Sequence, residues 1–486
     1  MNGQEFNLRA GPDKIGPQEM TAPDLLLSAF RRELWTEFNE AKRLYGVLAD
    51  YRPSSLEAGI ASNRMPVMDL LMEEKALYER IDYNARQVLT NIGMNIADSP
   101  EILHILMEAD AIDFENTSAP FVPLKEDYVN KCLEMVPRGF AGDPGPNSFG
   151  TGGTPPFFHS DHDTTLRPAT RDEFNAAVSL ANSWSNVVDI LSVPVQTDKS
   201  MSDYECALCM EKGFEGLKMI STRHMKDDEA SYLSGRNDWL DGTSLMTSFA
   251  PMSNMVKPFM RSASAGNNIL LLDLSISGAS GPNTPEALLT FIHAQVMFMM
   301  ILVQTIRPGT VCVHGGIPGV TRENGDFTYS SLTQPLINEA MARLNLWVTK
   351  FPSAQSGGST GISDDLETAV LESQMSRDRM RRLGAHMLRH AFGALGNLQF
   401  FSINKLDEDC RVETEARRAQ RMDIMEGLNV LPLYLPKDDN AMEAIRQFAD
   451  KLNPKETDHT LQHVGAFSGW EKAVIAAEAP PEFKVA

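Results

Sequence analysis

NILLLDLSISGASGPNTPEALLTFIHAQVMFMMILVQTIRPGTVCVHGGIPG, Asn268 to Gly319, sets two short apolar runs on either side of a long helical one. The outer runs, NILLLDLSISG (268 to 278) and TVCVHGGIPG (310 to 319), are too short for helices and end in Ser, Gly or Pro, the pattern of buried strands. Between them, Thr284 to Ile306 reads as a helix. Its part from Leu288 to Ile306 is 19 residues without a formal charge, close to membrane-span length. His293, Gln295 and Gln304 interrupt it, and the strands on both sides suit a helix buried all round. With Met297, Met299 and Met300 it is expected in the wall of the domain or between subunits, which predicts a homo-oligomer with no membrane partner.

Strand, helix, strand is the unit of a parallel sheet, and it recurs outward from this stretch. VDILSVPVQ (188 to 196), GLKMIST (216 to 222), SLMTSFAP (244 to 251) and KFPSAQSGG (350 to 358) read as further strands. Ser202 to Lys212, Gln334 to Trp347 and Asp365 to His386 read as helices. That makes six units, and HAFGALGN and GLNVLPLYLP, both after Met387, are taken for two more. Several runs end in Ser, Gly, His or Gln, polar groups where a (β/α)₈ TIM barrel builds its site. An open doubly wound sheet is the alternative, without a dinucleotide fingerprint to support it.

Upstream, MEEKALYERIDYNARQVLTNIG and SPEILHILMEADAI have helical apolar spacing, with Gly93 ending one helix and Ser99 and Pro100 starting the next. The expected division is an N-terminal helical region over 1–165, closing in a Gly-rich connecting loop, and an α/β barrel over 166–486. The loop is SFGTGGTPPFF, Ser148 to Phe158. No Lys or Arg lies between Arg138 and Arg167, which argues against a phosphate cradle. A surface turn or plain linker stays open beside any functional role.

The formal charge of −21 and pI near 4.9 argue against a nucleic-acid partner. The Arg-rich stretch Met375 to His390 reads as a solvated helix face, with a docking patch as the alternative. Five scattered cysteines make no disulfide framework, and the N-terminus has no signal pattern, so a cytoplasmic protein with reduced thiols is expected.

FGTGGTPPF followed by RPATRDEFNAAVSLANSW (Arg167 to Trp184) resembles the trimethylamine methyltransferase family. The likeness continues through NTPEALLTFIHAQVMFMMILVQTIRPGTVCVHGG, GALGN and DHTLQHVGAFSGW. It implies a (β/α)₈ barrel that transfers a methyl group from an amine to the Co(I) of a separate corrinoid protein. Having only standard residues and no pyrrolysine, the chain resembles the branch that includes glycine betaine:corrinoid methyltransferases. The expected substrate is therefore a quaternary amine such as glycine betaine. Cobalamin would be carried by the corrinoid partner and no cofactor bound by this chain, which lacks an Asp-x-His-x-x-Gly corrinoid-ligand motif. A non-catalytic barrel that binds a methylated amine or a corrinoid protein is the alternative function.

A quaternary nitrogen already carries a neutral leaving group, so such a site must hold a cation, orient a methyl group and exclude water. Phe249, Phe351 and Tyr204 are the candidates for an aromatic cage, though each taken singly reads more readily as core. His314, on the same strand face as Cys312 by the period-two rule, is a candidate for the substrate or its carboxylate, or else a structural histidine. Gln355 is a second donor, and Arg223, beside His224, the nearest cation. Gly150, Gly152 and Gly153 would let the loop approach the barrel mouth. A zinc site from Cys206, Cys209, Cys312 and His314 is the metal alternative; no metal is expected, because the C-x-x-C pair lies in a helical segment.

Overall fold

A computed structural model describes residues 64–452, apart from 114–119, 161–162, 199–200, 322–326, 329–332, 359, 426–434 and 436. Three helices come first: α1 (Arg64–Gln87), α2 (Pro100–Glu108) and α3 (Glu126–Met135). The chain then alternates. Strand β1 (Ser148–Thr151) leads to α4 (Arg171–Ser183), β2 (Ile190–Ser192) to α5 (Asp203–Gly213), and β3 (Leu217–Ile220) by a short helical turn to β4 (Trp239–Thr243). Next come α6 (Ser253–Ala265), β5 (Ile269–Asp273), α7 (Pro285–Ile306), β6 (Cys312–Gly316), α8 (Thr333–Leu344) and β7 (Ala354–Ser356). The chain continues through α9 (Leu366–Leu383), β8 (Met387–Phe392), α10 (Ile403–Met425) and α11 (Ala441–Lys451).

The eight strands form one parallel sheet in the order β6-β5-β4-β3-β2-β1-β8-β7. A bridge between His314 and Ser353 joins β6 to β7, with the His314 N–H donating to the Pro352 carbonyl at 2.7 Å. The sheet thereby closes into the expected (β/α)₈ barrel. Alternation along the strands sorts the side chains: Ile190, Leu217, Met219, Leu240, Leu270, Val313, Ala354 and Met387 pack together inside, while neighbours such as Leu191, Trp239, Leu271 and Leu388 pack outward in the larger helix-facing clusters.

Helix α7 is the one described helix long and apolar enough to cross a membrane, and it is buried within the protein from Pro285 to Gln304. It lies against β5 and β6 on one side and against α1, α3 and α11 on the other. Most of its polar side chains are used: Glu286 accepts from Arg80 of α1, Gln304 binds the Thr310 carbonyl and the Gly309 N–H, and Gln295 donates to Asp273 and accepts from the Phe249 N–H, while Thr290 Oγ1 is buried without a partner among the described residues. Such satisfaction is what burial of these groups demands. The RPAT segment owes its form to a capping box, in which Thr170 and Glu173 cap each other and Arg167 grips Glu173 with two bonds of 2.8 Å.

Three strand assignments differ from the sequence reading. The supposed connecting loop at Ser148 to Phe158 begins as strand β1, so the barrel starts at 148 rather than 166. Its Gly150 is there for close approach, since a Cβ would come within 2.9 Å of Ile190 on β2. The fourth strand is Trp239–Thr243, whose apolar run is cut short by Asp241 and Gly242, and SLMTSFAP forms only a small hairpin beyond it. KFPSAQSGG and HAFGALGN do mark β7 and β8, the last two strands, whereas GLNVLPLYLP, taken for one more, falls almost wholly outside the described residues.

Candidate active site

At the C-terminal ends of the strands the barrel opens into a cavity of about 190 Å³, walled by Ser192, Ile220, Gly242, Leu272 and Ile317 among others. Most of its lining is apolar, and no Asp or Glu among the described residues contributes to it. One strand departs from regular alternation there. Strand β8 bulges between Leu388 and Phe392, and His390 takes a left-handed φ of 58°. In a regular strand, adjacent residues face opposite sides; the bulge turns both Arg389 and His390 toward the cavity.

Arg389 is 5 % exposed, and no carboxylate pairs with it among the described residues. Its Nε donates to the Ala354 carbonyl at 3.2 Å and one Nη to the Gly315 carbonyl at 3.4 Å. Burial alone pulls the guanidinium below its ordinary range. A buried cation without a counter-ion is costly, and it favours an anionic ligand beside it. His390 places Nδ1 3.2 Å from Ser356 Oγ, while burial and then Arg389 hold its ring well below the ordinary histidine range. It is therefore neutral near pH 7.

The residues singled out from sequence are placed differently. Gly153 lines the cavity, against His390, and Arg223 is exposed two residues beyond Ser221, which also lines it. Gly152 follows β1 close to Ala394 and Pro155. The proposed cage is not assembled. Phe249 is fully buried outside the barrel, stacked edge-on with Phe291 and Phe121 at 4.7 and 5.4 Å. Phe351 precedes β7, at the opposite end of the barrel from the cavity, under the Arg138 guanidinium at 4.2 Å. Tyr204 packs edge-on against Tyr232 at 5.7 Å.

His314 also faces away from the cavity. The period-two reading was right that it shares a face with Cys312, but that is the outer face: Val313 is the inward residue. Its Nε2 lies 3.0 Å from His293 Nδ1 on α7, and His293 Nε2 lies 3.0 Å from Asp82 on α1. Gln355, next to inward Ala354, donates to the His314 carbonyl at 3.4 Å on the same outer side, with its Oε1 buried and unpartnered. Cys206 contacts Thr197 and Cys312 contacts Gln304, and no group of three His, Cys, Asp or Glu side chains is gathered as for a metal among the described residues. Sequence reasoning missed Arg389 and His390 because they fell in a basic stretch read as helix face.

An aliphatic cavity with a buried cation unpaired among the described residues, at the end of the barrel where such folds carry their chemistry, is the candidate small-molecule site of this (β/α)₈ barrel. The chain belongs to the trimethylamine methyltransferase (MTTB) family, whose pattern matches residues 49–467. It is similar to the glycine betaine methyltransferase of Desulfitobacterium hafniense (strain Y51), at 23 % identity over 372 residues, 71 % of this chain and 76 % of that protein. Among solved structures it matches the Methanosarcina barkeri monomethylamine methyltransferase MtmB, with a TM-score of 0.48 and 10 % identity over 85 % of this chain and 92 % of that one. The hydroxylamine complex of MtmB matches with a TM-score of 0.43 at 10 % identity, over 82 % and 98 %.

Proposed function

We propose that this chain transfers a methyl group from a quaternary amine bearing a carboxylate, glycine betaine or a close relative, to the Co(I) of a separate corrinoid protein. The observation that carries the reading is the unpaired guanidinium of Arg389 in an aliphatic cavity. The carboxylate supplies the missing negative charge, and the N-methyl groups sit against aliphatic walls such as Leu272 and Ile317. A cation without a carboxylate, such as choline, would instead meet Arg389 as a like charge.

The reaction asks little more of the protein. The C–N bond breaks with its electron pair staying on nitrogen, and the corrinoid Co(I) supplies the pair for the new bond to carbon. A quaternary nitrogen has no lone pair to protonate, so no acid or base is needed. What remains is to orient one methyl group toward the barrel mouth and to keep water out.

The test is methyl transfer to a reduced corrinoid protein, followed by its visible absorbance, with glycine betaine, choline and trimethylamine offered separately. Glycine betaine should be used and the other two ignored. Choline or trimethylamine turned over as well as glycine betaine would overturn the reading. Binding of glycine betaine without transfer would favour a non-catalytic barrel.

A further inference from the structure

The geometry points to His390 as a neutral hydrogen-bond donor to the same carboxylate that Arg389 neutralises, and so as a residue that sets specificity for carboxylated amines. This inference rests on the reading above and adds a second recognition element to it. Three observations meet at the residue. It holds a left-handed φ of 58°, a conformation uncommon for a residue with a side chain, so surrounding structure maintains it. The bulge it creates is what brings two consecutive side chains to one cavity. Its Nδ1 is occupied by Ser356 Oγ, whereas its Nε2 makes no hydrogen bond among the described residues.

In this proposal the Ser356 hydroxyl, 3.2 Å from Nδ1, is assigned as the donor of that bond, which puts the proton of the neutral ring on Nε2. That N–H lies against Gly153 and at the cavity, where no acceptor among the described residues meets it. A cationic histidine beside Arg389 would double the buried charge; a neutral one adds a directed donor without adding charge. Gly153 belongs to the same device. A Cβ there would lie 2.2 Å from Nε2, so only glycine leaves the ring its place. The Gly-rich segment that follows β1 is then the wall against which the donor is set.

The experiment compares His390→Leu and His390→Gln, which bear the same backbone cost at this φ but differ in having an N–H to donate. In the Leu variant KM for glycine betaine should rise roughly 10-fold with kcat changed less than about two-fold, and the Gln variant should recover most of the loss. Gly153→Ala, which displaces the ring without removing it, should give the same split and serves if the Leu variant does not fold. An unchanged KM in the Leu variant, or equal losses in the Leu and Gln variants, overturns the role of His390 while glycine betaine turnover by the unaltered protein leaves the proposed function standing. Preference of the unaltered protein for choline overturns both.

Discussion

His314 Nε2 lies 3.0 Å from His293 Nδ1, and this bond fastens the outer wall of the barrel to the buried helix α7. The proton positions follow from the ends of the chain. The Gly316 N–H donates to His314 Nδ1 at 3.3 Å, so neutral His314 carries its proton on Nε2 and gives it to His293. His293 in turn donates from Nε2 to the Asp82 carboxylate. Every nitrogen has a partner while both rings are neutral.

Replacing His314 by Ala should therefore cost stability rather than selectivity. It strands His293 Nδ1 in a fully buried place, a loss of about 1–3 kcal/mol. Urea unfolding should show that loss, and KM for glycine betaine should stay within about two-fold. A raised KM with unchanged stability would return His314 to the substrate site.

The same residue predicts a pH dependence. Burial holds its folded-state pKa well below 6.5, and a positive charge on His293 would push it further the same way. Above pH 6.5 both folded and unfolded forms are neutral and the contribution is whole; below it the unfolded chain gains a proton that the folded one refuses, and stability is lost as pH falls toward the folded value. Burial pushes Asp273 up to about 7 and Asp241 and Glu286 in the same direction, which acts with opposite sign over part of this range. Those groups cancel in a difference. The destabilisation of His314→Gln relative to the unaltered protein should thus shrink by about 1.4 kcal/mol per pH unit below 6.5. A gap independent of pH between 7 and 5 would mean that His314 titrates alike in the folded and the unfolded chain.

Arg389→Met should separate stability from binding. The guanidinium is buried with no carboxylate beside it among the described residues, so its removal should raise the melting temperature of the free protein. It should also weaken glycine betaine by roughly 100-fold, about 2.7 kcal/mol. Thermal melts with and without glycine betaine read both quantities. A lower melting temperature with unchanged ligand stabilisation would make Arg389 a structural residue.

Phe249→Ala is expected to behave as a core deletion, losing about 3–5 kcal/mol. Its ring sits among Phe121, Phe291 and Phe448, far from any cage. Melting and KM measured together check this; a raised KM at constant stability would speak for the cage.

The barrel was legible because its strands and helices carry strong patterns: ILLLD and CVHGG on either side of α7 could be read from apolar runs alone. The capping residues Thr170 and Ser202 likewise mark the starts of α4 and α5. The site was less legible. Period two puts Cys312 and His314 together, but which face looks inward depends on the closed sheet, and there Val313 won. Strand β1 was hidden by glycines that its packing on Ile190 requires. Arg389 and His390 could not be paired by any alternation rule, because a bulge is a local exception to alternation.

Seven of the eight junctions in the barrel are strand pairings, whereas β6 and β7 meet through the short bridge at His314 and Ser353. The barrel thus has a seam, and Arg389 reaches over β7 to tie it, from β8 to the Gly315 carbonyl of β6. A carboxylate that draws the guanidinium off that carbonyl would slacken the seam while tightening the pocket. Glycine betaine should then protect most backbone amides from hydrogen exchange yet hasten it at His314, and the barrel would give slightly at one joint each time it closed on its ligand.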